Sequence, residues 1–144
     1  RAGAETAPTA PAPSIAEVDT LVARARAAGL DVTTQVNGSV RRLPSVVDVA
    51  AARIVQESLT NVARHAPGAS AVVDVTFAPE SVRLRVDDNG TGTAAPASGG
   101  GNGIPGMIER AHALGGKLSA GARADGGFRV EAVLPISAAE ISEA

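Results

Sequence analysis

The sequence predicts an α+β domain: a two-layer sandwich with three helices on one face of a mixed, mostly antiparallel sheet of about five strands. Three observations predict it. Apolar residues recur at helical spacing in three segments and alternate with polar ones in five others. Glycine- or proline-bearing breaks separate these segments in the order helix, strand, helix, strand, strand, loop, helix, strand, strand. One alternating run sets Val82, Leu84 and Val86 against Arg83 and Arg85. That pattern belongs to an antiparallel sheet with one face covered and one in water.

Residues 1–13, "RAGAETAPTAPAP", are rich in Ala, Pro and Thr without apolar period and read as an extended linker from something upstream. The folded domain is expected over residues 14–136. Ser14 and Glu17 form a capping-box pattern ahead of the first helix, and Gly29 stands where that helix should stop. "LDVTTQV" alternates as a strand closed by the turn "NG". Pro44 and Ser45 open a long helical pattern that runs to about Ala66 and is broken by "PGA". Residues 71–77 and 81–87 read as a hairpin around "APE". Residues 91–103 are small, polar and glycine-rich, a loop. "IPGMIERAHALGG" is a helix with a glycine stop, and "KLSAG" and "FRVEAVLPI" are strands joined by the turn "ADGG". Residues 137–144 read as a tail.

Composition narrows the chemistry. The chain has 144 residues, room for one domain with a sizeable core. A net charge of -2 gives no bulk attraction to nucleic acid or an anionic membrane surface. With 0 Cys, disulfides, thiolate metal sites and cysteine nucleophiles are excluded. With 2 Phe, 0 Trp and 0 Tyr, the core must be aliphatic, and stacking platforms for single-stranded nucleic acid are missing. No apolar run is long enough to span a membrane, and no signal peptide opens the chain.

"GNGIPG", residues 101–106, fits the dinucleotide fingerprint G-x-G-x-x-G letter for letter, but its context fails. The fingerprint needs a buried strand just before it and an acidic residue about 20 positions on, at the end of a second strand. Here "TAAPASGG" precedes it, and the nearest acid, Asp125, lies in a turn. No P-loop motif occurs either. What survives is physical: glycine-rich backbone leading into a helix offers free N–H groups to an anion.

On the long helix, Ala51, Val55, Leu59, Val62 and Ala66 share the core face. Arg53, Glu57, Asn61 and Arg64 share the opposite face, with His65 at its edge. A solvated surface would explain such a stripe, but Glu57 and Asn61 are not an ion pair of the kind that stabilises exposed helices, and Asn is a poor helix residue. A carboxylate and an amide oxygen one turn apart are hard-oxygen ligands suited to Mg²⁺ that also leans on substrate phosphates. Arg64 follows within reach of a phosphate. In "VDDNGTG", Asp88 ends a strand beside Gly90 and Gly92. Ordinary turn chemistry explains it; so does a carboxylate placed to accept a hydrogen bond from an exocyclic amine such as that of adenine.

Taken together, "QESLTNVARHA", "DDNGTG" and "GNGIPGMIER" resemble, in order and placement, the N box and two glycine boxes of the ATP-binding catalytic domain of bacterial two-component sensor histidine kinases. These belong to the wider gyrase, histidine kinase and mismatch-repair ATPase group, which has the Bergerat fold. "GMIER", "ALGGKLS" and "GGFRVEAVLP" resemble the nitrate-sensor subfamily. The resemblance covers about residues 14–136. It implies ATP and Mg²⁺ as ligands, with Asn61 at the metal and Glu57 either at the metal through water or acting as base towards the accepting imidazole. It implies Asp88 at the adenine amine, with Gly90 and Gly92 admitting the base. Arg64 and His65 would lie near the nucleotide, and Gly101, Gly103, Ile104, Gly106 and Met107 would bind ATP from the second glycine box. Residues 91–103 would form an ATP lid. Asn89, Ile104 and Pro105 are mild departures from the family pattern, though Pro105 suits a first helical turn.

The family donates the γ-phosphoryl group of ATP to a histidine on a separate, N-terminal dimerisation domain, and a response regulator follows. Here the 2 histidines are His65, inside the N box, and His112, on the helix after the loop. The chain therefore reads as the catalytic module alone, cytoplasmic, with any membrane anchor upstream and with no nucleic-acid or membrane contact of its own. Two alternatives share the fold. One is an anti-sigma-factor serine kinase, which "GMIER" and the upstream linker argue against. The other is a degenerate nucleotide-binding scaffold, which the intact Glu57, Asn61 and Asp88 argue against.

Overall fold

The structure, a computed structural model, describes residues 14–90, 103–124 and 126–136. The expected linker, the tail and most of the expected lid lie outside the described residues. Five strands form one sheet in the order β1-β2-β3-β5-β4. They are β1 (Asp31–Gly38), β2 (Ser70–Ala78), β3 (Ser81–Asp88), β4 (Lys117–Ala122) and β5 (Phe128–Pro135). Only β1 and β2 run parallel; the other neighbouring pairs are antiparallel. A parallel pair needs a long crossover, and α2 (Ser45–His65) supplies it. Helices α1 (Val18–Ala27) and α3 (Gly103–Ala113) complete the second layer. α1 packs on β1, α2 on β2, β3 and β5, and α3 on β4 and β5. The α+β sandwich read from the sequence is the fold observed.

The register explains why all three helices lie on one face. Val73, Val75 and Phe77 of β2 stand opposite Val86, Leu84 and Val82 of β3. Those three in turn face Val130, Ala132 and Leu134 of β5. All nine are buried, while Val72, Arg83 and Lys117 on the other face are exposed. The open face carries a charge ladder. Asp87 accepts two bonds from Arg129, at 2.7 and 3.0 Å, and Arg85 lies between Asp87 and Asp74 at 3.6 and 3.7 Å. Such wet pairs contribute little stability, but they keep this face polar.

Two local expectations are corrected. Ser14 does not form a capping box with Glu17. Its side chain accepts from the Ala16 N–H at 3.2 Å and donates to the Asp48 carboxylate at 3.1 Å. The same carboxylate oxygen takes the Ile15 N–H at 2.7 Å. A residue 34 positions on from Ser14 thus replaces the local partner, Ile15–Glu17 form a 3-10 turn, and the α-helix begins only at Val18. "NG" does not close β1 either. Asn37 and Gly38 stay in the ladder opposite Thr76 and Phe77, because the Asn37 amide donates across to Asp74 and Thr76 at 3.1 and 3.3 Å.

Where β3, β5 and the β4–β5 turn meet, the backbone is too close for a side chain. Gly127 has φ +94, and a Cβ there would run into the Asp88 carbonyl oxygen. That same oxygen accepts from Arg123 Nη1 at 2.9 Å. Gly127→Ala is expected to cost about 2 kcal/mol or more through strained backbone and displaced β3. Thermal unfolding should show this as a Tm lower by roughly 6–10 °C for a domain of this size; an unchanged Tm would contradict this packing.

Candidate functional site: two ends of one helix

Among the described residues, two polar or charged side chains are buried, Ser58 at 1% and Asp88 at 5% exposure. Buried polar groups inform more than exposed apolar ones. Asp88 ends the stripe Val82, Leu84, Val86, so alternation aims it into the helix layer, where an apolar side chain would be expected. Its Oδ1 accepts from the Gly90 N–H at 2.8 Å. No described residue donates to Oδ2. A methyl on Gly90 would stand 2.6 Å from the Ala66 Cβ, which places the end of α2 against this acidic turn. Asn89 ties the turn to β2: its side chain accepts from Ser70 N–H at 2.8 Å, and its own N–H donates to Ser70 O at 3.1 Å.

About nine residues back along α2, the second cluster forms. A Cβ on Gly103 would stand 2.9 Å from Glu57 Oε2 and 3.5 and 3.6 Å from the two atoms of the Asn61 amide end. The first residue of α3 therefore rests directly on the polar stripe of α2, and a side chain there would push the Glu57 carboxylate aside. Ser58 and Met107 set this approach. Met107 is fully buried, and the Ser58 hydroxyl donates to its sulfur at 3.8 Å. Glu57 and Asn61 are half-buried, and neither side chain makes a hydrogen bond or ion pair with another described residue. The free N–H groups of the first turn of α3 add positive potential beside the Glu57 carboxylate.

The profile of the histidine kinase-, DNA gyrase B- and HSP90-like ATPases matches residues 47–138, which hold both clusters. The chain belongs to this ATPase family. Among curated relatives, the sensor histidine kinase YxjM of Bacillus subtilis (strain 168) is 34% identical over 84 residues, 58% of this chain and 20% of YxjM. The sensor histidine kinase LnrJ of the same organism is 31% identical over 105 residues, 73% of this chain and 26% of LnrJ. The chain thus spans about a quarter or less of the length of these relatives. Among solved structures, the Erythrobacter litoralis EL346 blue-light activated histidine kinase has a TM-score of 0.67 at 23% identity, over 87% of this chain and 42% of that one. That likeness shows the shared fold. An ATP-binding module of this ATPase family is also what the three sequence boxes predict, and curated relatives that are sensor histidine kinases agree with a catalytic module of that type.

In this ATPase the remaining predicted residues are placed unequally. Arg64 and His65 are exposed in the last turn of α2, between the two clusters. Ile104 is half-buried against the core. Gly106 has nothing within 4 Å of where a Cβ would be, so that side of α3 is open. Met107 faces the core. Gly92 and Gly101 lie outside the described residues. Among the described residues no group of three or more His, Cys, Asp or Glu gathers into a metal cage. The donor set at Glu57 and Asn61 instead fits a hard cation that takes few protein oxygens and shares phosphate oxygens. No helix among the described residues is long and apolar enough to cross a membrane.

Sequence reasoning passed over four supporting residues. Ser58 was legible as a polar residue on the apolar stripe of α2. Asn89 is legible as a turn residue and as a departure from the family pattern, but not as a tie to β2. Arg123 and Gly127 carried no signal, because their work depends on the β4–β5 turn folding back onto Asp88.

Proposed function

We propose that this chain binds ATP and Mg²⁺ along α2 and donates the γ-phosphoryl group to a histidine on a separate dimerisation domain, as the catalytic module of a two-component sensor kinase. The observation that carries this reading is the pairing of a buried carboxylate with one open oxygen, Asp88, at one end of α2 and the Glu57–Asn61–Gly103 junction at the other. From Glu57 to Ala66 the helix rises about 13 Å, the scale of an extended nucleoside triphosphate. Asp88 Oδ2 accepts the adenine exocyclic amine. Asn61 would hold Mg²⁺, with Glu57 reaching it through water, and the cation would neutralise charge on the phosphates. The first-turn N–H groups of α3 and the exposed Arg64 meet the phosphate oxygens.

Phosphoryl transfer is largely positioning and charge neutralisation. In the proposed step an acceptor imidazole nitrogen attacks the γ-phosphorus. The bond to the bridging oxygen breaks, ADP leaves with the electron pair, and the proton displaced from the imidazole passes to the Glu57 carboxylate. A response regulator then takes the phosphoryl group. The motifs "GMIER" and "GGFRVEAVLP" support the nitrate-sensor subfamily, and a cytoplasmic location goes with that assignment.

The test is labelling with γ-radiolabelled ATP. Residues 1–144 alone should bind ATP but take up no acid-labile phosphate, because His65 and His112 sit on the module's own helices. Addition of the acceptor domain as a separate chain should restore labelling on that partner. Glu57→Gln keeps shape but removes charge and basicity, so it should reduce transfer by on the order of 100-fold and ATP binding far less. Labelling of His65 or His112 in the isolated chain would contradict the proposal.

A further inference from the structure

β1 is an outer strand of the sheet, and among the described residues its one strand partner is β2. Two contacts reveal which of its backbone groups look outward. Ser70 spends its N–H and C=O on Asn89, towards β3. By alternation Ala71, Val73, Val75 and Phe77 turn theirs to β1, where a parallel ladder joins them to the odd-numbered residues Thr33, Gln35 and Asn37. The N–H and C=O of Val32, Thr34 and Val36 therefore point away from the sheet. Arg26 agrees with this: from α1 its Nε donates to Val32 O at 2.9 Å. Open edges of this kind template pairing with another strand, and proteins blunt them with short strands, Lys, Pro or bulges. β1 uses none of these. It is 8 residues long and its register to β2 is unbroken. Residues 32–38 hold neither Pro nor a charged side chain. The opposite edge, β4, has 6 residues and opens with Lys117. Val36 adds an apolar signal. It is 41% exposed, although its neighbour in β2, Val75, is fully buried.

We propose that β1 pairs antiparallel with β1 of a second copy of this chain, about a two-fold axis that passes through Gln35 perpendicular to the sheet. Arg26 plugs the Val32 end, so the free stretch is centred on Gln35. In this register Thr34 and Val36 exchange backbone bonds with Val36 and Thr34 of the second copy. Val36 lies against a β-branched threonine on the helix side. On the open side Gln35 meets its own equivalent, amide to amide, and Thr33 meets Asn37. The register keeps parity, so both helix layers stay on one side and two sheets become one. A second copy suits this edge because the strand is complementary to itself. Like charges directly opposite destabilise a strand pair, and the axis brings none together. A net charge of -2 adds little repulsion between copies. The seam lies across β2 from Asp88 at the end of β3, so it leaves both ends of the α2 site uncovered.

The chain has 0 Cys, which makes a single introduced cysteine a clean reporter of register. Opposed residues of a non-hydrogen-bonded antiparallel pair stand about 4.5 Å apart at Cα, within disulfide reach. Gln35→Cys in the full chain should therefore give a covalent dimer under mild oxidation by diamide. Thr33→Cys should not, because the axis sets its two copies roughly 13 Å apart along the strands. Sedimentation of the unmodified chain should show a monomer–dimer equilibrium, and the amides of Thr34 and Val36 should gain exchange protection as concentration rises. Thr34→Pro removes an N–H that β2 does not use, a position where an edge strand accepts proline. It should weaken dimerisation about 10-fold or more and leave affinity for a non-hydrolysable ATP analogue unchanged. If that variant melts early, Gln35→Lys, which sets like charges face to face across the axis, should weaken dimerisation in its place. A monomer at every concentration, β1 amides protected independently of concentration (a segment of the same chain on the edge), equal cross-linking at positions 33 and 35, or a dimer indifferent to the folded variants would overturn the proposal. The outcome is independent of nucleotide binding, so failure of the proposed function would leave it standing.

Discussion

Asn61→Ala should fold as well as the parent chain, lose the dependence of nucleotide affinity on Mg²⁺, and fail to support phosphoryl transfer. The Asn61 side chain makes no hydrogen bond with another described residue, and its amide end lies beside Glu57 and the first residue of α3. Alanine is a better helix former than asparagine, so a loss of function cannot be charged to a broken α2. Its Tm should hold or rise slightly. In EDTA, parent and variant should bind an ATP analogue alike. In Mg²⁺ the parent should gain and the variant should not, leaving a gap of about 10-fold or more, worth roughly 1.4 kcal/mol. Transfer to an added acceptor domain should fall by on the order of 10²–10³, the scale seen when one charge-stabilising group is taken from a polar reaction centre. Isothermal titration in the two buffers, followed by radiolabel transfer, measures all three. A variant that keeps the Mg²⁺ gain would remove Asn61 from the metal site.

Asp88→Asn should weaken ATP binding by about 10- to 100-fold while the domain stays folded. The substitution preserves an amide oxygen that can still take the Gly90 N–H bond made by Oδ1. What changes is the other arm. An acceptor oxygen becomes an NH₂ donor facing the adenine amine, so a charge-assisted bond worth roughly 1.5–3 kcal/mol is lost. Guanine presents an acceptor where adenine presents that donor, so the preference for ATP over GTP should shrink as ATP affinity falls. Competition of ATP and GTP against a fluorescent nucleotide reads both effects. Unchanged ATP affinity in a folded variant would move adenine recognition away from Asp88.

These residues were readable from the sequence to different depths, for physical reasons. The sandwich was legible because period-two and period-3.6 patterns mirror burial. Val82, Leu84 and Val86 were expected on a covered face and are buried there, and the apolar face of α2 begins and ends where Pro44 and "PGA" place it. Glu57 and Asn61 were legible as a stripe because helical spacing converts sequence separation directly into adjacency. Their meeting with Gly103 was not legible, since it depends on where α3 lands, which Met107 and Ser58 decide through a core contact 49 residues apart in sequence. Ser14 misled for the same reason. Its local partner at Glu17 was visible, and its long-range partner at Asp48 was not. Asp88 was visible as a strand-end acid, but its burial, and the backing of its carbonyl by Arg123 and Gly127, come from a turn that nothing local in "ADGG" ties to β3.

The central claim is that one nucleotide lies along α2, with adenine at Asp88 and phosphates at Glu57, Asn61 and the start of α3. Titration of the unmodified chain with a non-hydrolysable ATP analogue, in Mg²⁺ and in EDTA, with the backbone amide spectrum recorded at each point, tests it most directly. The claim predicts saturable one-to-one binding that is tighter in Mg²⁺, with shifts at both Gly90 and Gly103–Ile104. Absence of binding, equal affinity in the two buffers, or shifts confined to one end of α2 would contradict it.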